Sequence, residues 1–213
     1  MSRFAILLAG RIEPTPALRA ALSGARVIAA DDGLRHALPL GVTPELWVGD
    51  FDSSPAEPPA AFAGLPRQTF AVDKDRTDGE LAVDAALARG ATRLLLVGAL
   101  GGPRSDHAFA HLVLVLRLAA AGIAVECFDG SEYAWPLSPA PRRFDLGAGT
   151  QFSILKFSDL AGLTIAGAKW PLDDVALPFH SILTQSNEAA GPITVSVREG
   201  AAILIAQADP AVR

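Results

Sequence analysis

Trp47-Val48-Gly49-Asp50-Phe51-Asp52-Ser53-Ser54 places two carboxylates at i and i+2 just after a short apolar run. In an extended segment that spacing puts Asp50 and Asp52 on the same side. A second acidic cluster follows, Asp73-Lys74-Asp75-Arg76-Thr77-Asp78-Gly79-Glu80. If Asp50, Asp52, Asp75 and Asp78 converge they repel, because two unit charges ~4 Å apart cost roughly 4 kcal/mol at an effective dielectric of about 20. A cation offsets that repulsion. Hard carboxylate oxygens suit Mg2+, which takes one or two protein carboxylates and completes its shell with water and substrate phosphates. The chemistry to expect is therefore a Mg–phosphate site. The competing reading makes these acids solvated loop residues and helix caps. Thr77-Asp78-Gly79-Glu80 fits a capping box, with a hydroxyl at the N-cap and Glu three residues on. Acids in a first turn also favour the helix dipole. Glu80 is assigned to that structural role, whereas Asp78 can serve both.

Gly101-Gly102-Pro103-Arg104-Ser105-Asp106 joins an expected strand to a helix start. Glycines let backbone amides approach an anion, and the helix start favours negative charge. Arg104 can hold a phosphate oxygen through its planar fork. A simple tight turn explains the glycine pair as well, and no Gly-Lys-Ser/Thr follows, so this is not a P-loop. His107 and His111 lie at i and i+4, a spacing open to metal binding, but the apolar residues between them favour capping and packing. Trp170 fits either the core or a stacking platform for a flat ring.

The elements that must position these groups follow from periodicity. Over the first ~130 residues strand-like and helix-like segments alternate. Strands are expected at 4–9, 26–30, 46–48, 68–72, 94–97 and 123–128. A helix is expected at 15–22, and a short one through Leu34 and Leu38. A third carries Leu81, Ala85 and Ala88 on one face, and a fourth carries Phe109, Leu112, Val113 and Leu116. That alternation argues for a mainly parallel sheet, in which ligands bind beyond the carboxyl ends of the strands. Asp31, Asp50, Asp75 and the 101–106 loop all follow expected strands. Pro136, Pro139 and Pro141 then mark a connection. Beyond Phe144 short strands succeed one another at 151–157, 163–166, 182–184, 193–197 and 202–206, which reads as a small β-sandwich. The expected domains are 1–130 (α/β), a linker at 131–143, and 144–213 (all-β).

Bulk composition sets limits on function. Half of the 213 residues are apolar and 19% are charged, enough to bury a core. A net charge of -5 gives no electrostatic footprint for nucleic acid or an anionic membrane. An anionic substrate therefore needs local Lys or Arg, or a metal. The single cysteine, Cys127, rules out an internal disulfide framework and a cysteine-based zinc site, and its apolar surroundings read as core. The apolar run at 4–9 is too short for a signal peptide, and no stretch approaches a transmembrane span, so a cytoplasmic protein is expected.

Taken in order, Gly49-Asp50-Phe51-Asp52-Ser53, Lys74-Asp75-Arg76-Thr77-Asp78, Gly101-Gly102-Pro103-Arg104-Ser105-Asp106-His107, Gly162-Leu163-Thr164-Ile165 with Lys169-Trp170-Pro171-Leu172, and Ser186-Asn187-Glu188 resemble the thiamine pyrophosphokinase family. The resemblance runs from about Ala29 to Glu188. It implies an N-terminal α/β domain for ATP and Mg2+, a C-terminal β-sandwich that binds thiamine, and a homodimer with active sites at the subunit interface. The implied reaction is ATP + thiamine giving thiamine diphosphate + AMP. The family's metal-binding acids match Asp50, Asp52 and Asp75, with Asp78 close by. Its Gly-Gly-Arg-x-Asp-His motif matches Gly101, Gly102, Arg104, Asp106 and His107, and Asp31, Gly33 and Lys74 join the nucleotide-binding set. Its thiamine-stacking Trp and Ser-Asn pair match Trp170, Ser186 and Asn187. Asp78 or Asp106 would accept the hydroxyl proton. This chain departs from the family in three places: Pro103 is extra between Gly102 and Arg104, Asp32 adds a charge to the usual Asp-Gly-Gly, and His111 replaces an Asn. Two other readings of the same residues are a Mg-dependent phosphatase with Asp50 as nucleophile, since Asp50-Phe51-Asp52 loosely resembles the haloacid-dehalogenase pattern, and a non-catalytic nucleotide or thiamine sensor.

Overall fold

Phe4, Ala5, Ile6 and Leu7 are consecutive and all buried, which a strand achieves only when both faces of its sheet are covered. They lie in β1 (Ser2–Leu7), in a computed structural model that describes residues 2–51, 58–70 and 76–208. Chain contacts divide the molecule into two compact units, Met1–Gly130 and Ser131–Arg213.

In the first unit, α1 (Pro16–Leu22) starts where Thr15 accepts a hydrogen bond from the Leu18 amide at 3.2 Å. Then come β2 (Arg26–Ala30), a 3-10 turn over Asp31–His36, α2 (Ala37–Leu40) and β3 (Leu46–Gly49). After these lie β4 (Arg67–Thr69), α3 (Asp78–Ala88), β5 (Ala91–Val97), α4 (Ser105–Ala120) and β6 (Ala124–Phe128). The sheet runs β6-β5-β1-β2-β3-β4 and every pairing in it is parallel. The chain steps outward from β1 through β2 and β3, then returns to lay β5 on the other side of β1. The two directions part between β1 and β5. Helix α3 packs on β1, β2, β3 and β5, and α4 on β6. Each fully buried side chain such as Ile6 or Leu96 contributes about 1.5–3 kcal/mol. Cys127 is fully buried, and burial pushes its thiol up, so it is core and inert.

Both long helices differ from expectation in which face they bury. Leu81 and Ala85 of α3 are buried but Ala88 is exposed; Ala82, Val83 and Ala86 widen the buried face instead. On α4 the buried residues are Leu112, Leu114, Val115 and Leu118, while Phe109 and Val113 are exposed. The expected strand at 68–72 is β4, which ends at Thr69; residues 71–75 lie outside the described set.

The second unit holds β7 (Glu132–Pro136), β8 (Arg142–Phe144), β9 (Gln151–Lys156), β10 (Leu160–Ala168), β11 (Leu172–Leu177), β12 (Asn187–Glu199) and β13 (Ala202–Gln207). Its pairings are antiparallel: β7-β13-β9 in one group, and β11-β10-β12 with β8 in the other. Strand β12 begins beside β9 and continues beside β10. Phe152, Ile154 and Leu204 from the first group and Leu163, Ile165 and Val195 from the second share one apolar core.

Two expectations change here, and one strand is new. Residues 131–143, read as a linker, contain β7 and β8; Pro136 closes β7, where a missing donor is tolerated. The strand expected at 182–184 is a turn, with Ile182 and Leu183 exposed. Only Thr184 is buried there, its hydroxyl donating to the Ile154 carbonyl at 2.8 Å. Strand β11 went unforeseen because adjacent Asp173 and Asp174 disguise it. Charges of that kind suit a strand at the end of its sheet.

Candidate active site

A cavity of about 500 Å³ opens at the carboxyl ends of β1, β2, β3 and β5. It sits where the sheet order reverses between β1 and β5, the position at which open α/β sheets bind ligands. Two loops make its floor. Leu8 and Gly10 donate backbone hydrogen bonds to the Val97 and Gly98 carbonyls at 2.8 and 3.0 Å. A Cβ on Gly10 would lie 2.2 Å from the Gly98 oxygen and 2.8 Å from that of Gly101, so no other residue lets these loops meet.

Asp31 follows β2 in a left-handed conformation, φ 44°. The buried Trp47 of β3 fixes it, donating its indole N–H to the Asp31 carbonyl at 2.8 Å. Asp32 and Arg35 form an ion pair one helical turn apart, and both line the cavity. Arg35 also donates to the Ala9 carbonyl. The additional carboxylate at Asp32 thus brings its own counter-charge.

Asp50 lines the cavity from the end of β3. The next residue, Phe51, has φ 61°, which is strained for a bulky side chain. Its ring meets Trp47 edge to face at 4.5 Å, and the Arg67 guanidinium lies over both rings at 4.7 and 5.6 Å. That packing holds the turn that delivers Asp50.

Arg76, Thr77, Asp78 and Gly79 enter from the start of α3. The capping box forms as expected: Thr77 Oγ1 accepts from the Glu80 amide at 3.2 Å, and Glu80 accepts from the Thr77 amide at 3.1 Å. Glu80 also pairs with Arg117 of α4 at 2.7 Å. Burial pushes the Glu80 carboxyl up, but the Thr77 amide and Arg117 outweigh it and hold it below its ordinary value.

The wall opposite comes from the α4 entry, through Gly101, Pro103, Arg104 and His107. Arg104 reaches the cavity despite the inserted proline. It forks onto Asp106 through Nε–Oδ1 at 3.0 Å and Nη2–Oδ2 at 2.7 Å. That fork holds the Asp106 carboxyl well below the usual carboxylate range. His111 places Nδ1 3.1 Å from the Ala99 carbonyl, and burial pushes its imidazole down, so the neutral ring donates there. It meets His107 edge to face with centroids 6.4 Å apart, a packing contact.

Of the expected site residues, Asp31, Asp50, Asp78, Gly101, Arg104 and His107 line this one cavity. Gly102, in the loop before α4, and Asp106, in the first turn of α4, do not line it. Gly33 is buried instead against β1, where a Cβ would lie 2.1 Å from the Leu7 oxygen. Asp52, Lys74 and Asp75 lie outside the described residues. Among the described residues no three His, Cys, Asp or Glu side chains gather as a metal centre. The donors that are placed (Asp31, Asp32, Asp50 and Asp78) are all carboxylates, the hard oxygen set that fits Mg2+. In the second unit Trp170 is half exposed, not core. Its carbonyl accepts from Asn187 Nδ2 at 2.8 Å, its amide donates to Asn187 Oδ1 at 3.3 Å, and Lys169 Nζ lies 4.9 Å from its ring centre. Ser186 has φ 56° and its amide donates to Ser153 Oγ at 2.9 Å.

Sequence reasoning passed over Gly10, Arg35, Arg76 and Gly98. Gly10 and Gly98 each follow a strand, so the strand-end rule applied to β1 and β5 would have found them. Arg35 carries only the faint signal of an i,i+3 acid–base spacing.

The model of the family described as Thiamin pyrophosphokinase, catalytic domain, matches residues 20–127, and that of Thiamin pyrophosphokinase, vitamin B1 binding domain, matches residues 141–202. A thiamine pyrophosphokinase of Bacillus subtilis (strain 168) is 28% identical over 187 residues, 85% of this chain and 87% of that protein. The solved structure of thiamine pyrophosphokinase from Bacillus subtilis superposes with a TM-score of 0.84 at 26% identity, covering 98% of this chain and all (100%) of the other. That of the thiamin pyrophosphokinase from Geobacillus thermodenitrificans gives 0.80 at 28% identity, covering 100% of each. With matches spanning both units, the chain belongs to the thiamin pyrophosphokinase family.

Proposed function

We propose that this protein transfers the pyrophosphoryl group of ATP to the hydroxyl of thiamine, giving thiamine diphosphate and AMP. The observation that carries this reading is the match of both halves of the family, catalytic and vitamin-binding, on one chain. The chain's own geometry supports it, since carboxylates and guanidinium groups share a cavity at the sheet's rim.

In this reading residues 1–130 bind ATP and residues 144–213 form a β-sandwich that binds thiamine. Asp50, Asp52 and Asp75 would hold Mg2+, which supplies neutralisation of the polyphosphate's charge. Arg104 and Lys74 take charge on the transferred phosphoryl oxygens, and the backbone amides of the Gly101–Gly102 turn would add to them. The thiamine hydroxyl oxygen bonds to the β-phosphorus, the bond from that phosphorus to the bridging oxygen breaks, and its electron pair leaves with AMP. The hydroxyl proton passes to Asp78. Asp106 is the weaker base, because Arg104 occupies both its oxygens and holds its proton affinity down. Trp170 stacks on the pyrimidine ring, with Ser186 and Asn187 beside it. Two chains pair with the active sites at their interface, in the cytoplasm.

Aspartyl-phosphate chemistry at Asp50 is not favoured, because that pattern belongs after a first strand and Asp50 follows β3. The test is to incubate the protein with ATP, Mg2+ and thiamine. Equimolar AMP and thiamine diphosphate are expected. Release of inorganic phosphate without AMP would restore the phosphatase, and binding of both ligands with no AMP formed would restore the sensor.

A further inference from the structure

Lys169, Trp170 and Pro171 join β10 to β11. Trp170 is 54% exposed, yet its backbone is held. The β10–β12 ladder pairs Ala168 with Ala189, and the Lys169 amide continues it to the Glu188 carbonyl at 2.8 Å. A side chain makes the next step. Asn187 Oδ1 accepts from the Trp170 amide at 3.3 Å, and Asn187 Nδ2 donates to the Trp170 carbonyl at 2.8 Å. A side-chain amide thus stands where the backbone of a neighbouring strand would. From the other side, Pro171 restricts Trp170 to extended conformations. Lys169 Nζ, paired with Glu188 at 3.3 Å, lies 4.9 Å from the ring centre and steadies the indole itself.

Asn187 is only 5% exposed. Burying an amide is costly unless its hydrogen bonds are made. Here Oδ1 also accepts from the Glu188 amide at 2.8 Å, so both of its lone pairs are used. Two N–H groups on one side and a carbonyl on the other settle which amide atom is the oxygen. The backbone of Asn187 is in register with Phe152 of β9, which anchors the amide from behind. What remains for a ligand is one N–H on a side chain that barely reaches solvent. The indole it holds is half exposed.

We infer, on the thiamine reading proposed above, that Asn187 is a positioning residue: it serves thiamine by holding Trp170 and does not touch the vitamin. Its amide fixes the backbone from which the indole projects, and the indole meets the ring.

A double-mutant cycle tests this. Thiamine, and separately ATP with Mg2+, are titrated into the parent, Trp170→Ala, Asn187→Ala and the double variant. Trp170→Ala is expected to weaken thiamine about ten-fold, the scale of one lost stacking contact. Asn187→Ala is expected to weaken it several-fold in the parent and to add nothing once Trp170 is gone. ATP affinity should stay unchanged throughout. Should Asn187→Ala melt early, Asn187→Asp runs the same cycle, since it keeps the volume and both acceptances and loses only the donation to the Trp170 carbonyl. An equal factor in both backgrounds would mean that Asn187 touches thiamine directly. No effect in the parent would make its hold on Trp170 dispensable, and parallel loss of ATP would make its role general to the fold. Any of these overturns the inference. Trp170→Ala that leaves thiamine binding unmoved would remove the stacking role of Trp170 and this inference together. The transfer reaction fails separately: the expected cycle, with no thiamine diphosphate formed, would remove that reaction and leave this inference standing.

Discussion

Helices α3 and α4 begin at the same cavity and begin differently. The first turn of α3 is closed by its own side chains, Thr77 and Glu80 each accepting from the other's amide. The first turn of α4 has no capping box: Arg104 occupies the N-cap position and its side chain makes no cap bond. A helix start leaves several amides without intrahelical partners, and something must meet them. At α3 the protein meets them itself. At α4 Gly101 and Arg104 line the cavity, and the Asp106 carboxyl meets the His107 amide. One end closes on itself, and the other, in the proposed reading, serves the substrate.

Disabling each end should therefore fail in different assays. Arg104→Ala is expected to lower turnover by about 10²–10³-fold, the range for removing one donor to developing charge, with the unfolding midpoint unmoved. Steady-state kinetics beside a thermal melt checks both halves of that statement. A large drop in melting temperature would mean that α4 needs Arg104 for its fold, and the contrast between the two ends would collapse.

Asp106→Asn sharpens the contrast within α4. If Asp106 orients Arg104 and does not take the proton, turnover should fall by less than the about 10²–10⁴ that loss of a general base costs. A loss inside that range would make Asp106 the proton acceptor and displace Asp78. At α3 the expectation reverses. Thr77→Ala should cost about 1 kcal/mol of stability, measured by denaturant titration, and change kcat only a few-fold.

The same two helices mark how far the sequence could be read. The capping box was legible because it is local: Thr77 and Glu80 find each other three residues apart whatever the rest of the chain does. The strand at Leu94 to Val97 was legible because four consecutive apolar residues admit few other fates. The buried face of α4 was not legible, since the helix is apolar nearly all round and Phe109 competes with Leu114 on equal terms; only the neighbouring strand decides. Gly10 and Arg35 depend on loops that meet only after β1, β2 and β5 have aligned. In the second unit, Ile182 and Leu183 carry strand-like character that no partner strand uses. Of the acids that motivated a metal site, Asp50 and Asp78 reach one cavity, whereas Asp52 and Asp75 fall outside the described residues.

The smallest effect expected is in the charge that links the two helices. Glu80 closes the α3 cap and also pairs with Arg117 of α4, and its carboxyl is held below its ordinary value. A depressed folded value fixes the sign. The unfolded state binds the proton first, so the stabilisation is fully present above the unfolded value of about 4.3 and is lost as pH falls through the lower folded value. Glu80→Gln keeps a side chain that can complete a capping box and removes only the charge. Its stability deficit should be a fraction of a kcal/mol at neutral pH, because Arg117 is largely exposed and such pairs contribute about 0–1 kcal/mol. The deficit should shrink toward zero as pH falls through the lower folded value, where the parent carboxyl also loses its charge. Denaturant midpoints for both proteins from pH 7 to 3 measure this directly. A deficit that stays constant over that range would show Glu80 acting through hydrogen bonding alone. The α3 end would then be closed by geometry, with charge reserved for the α4 end.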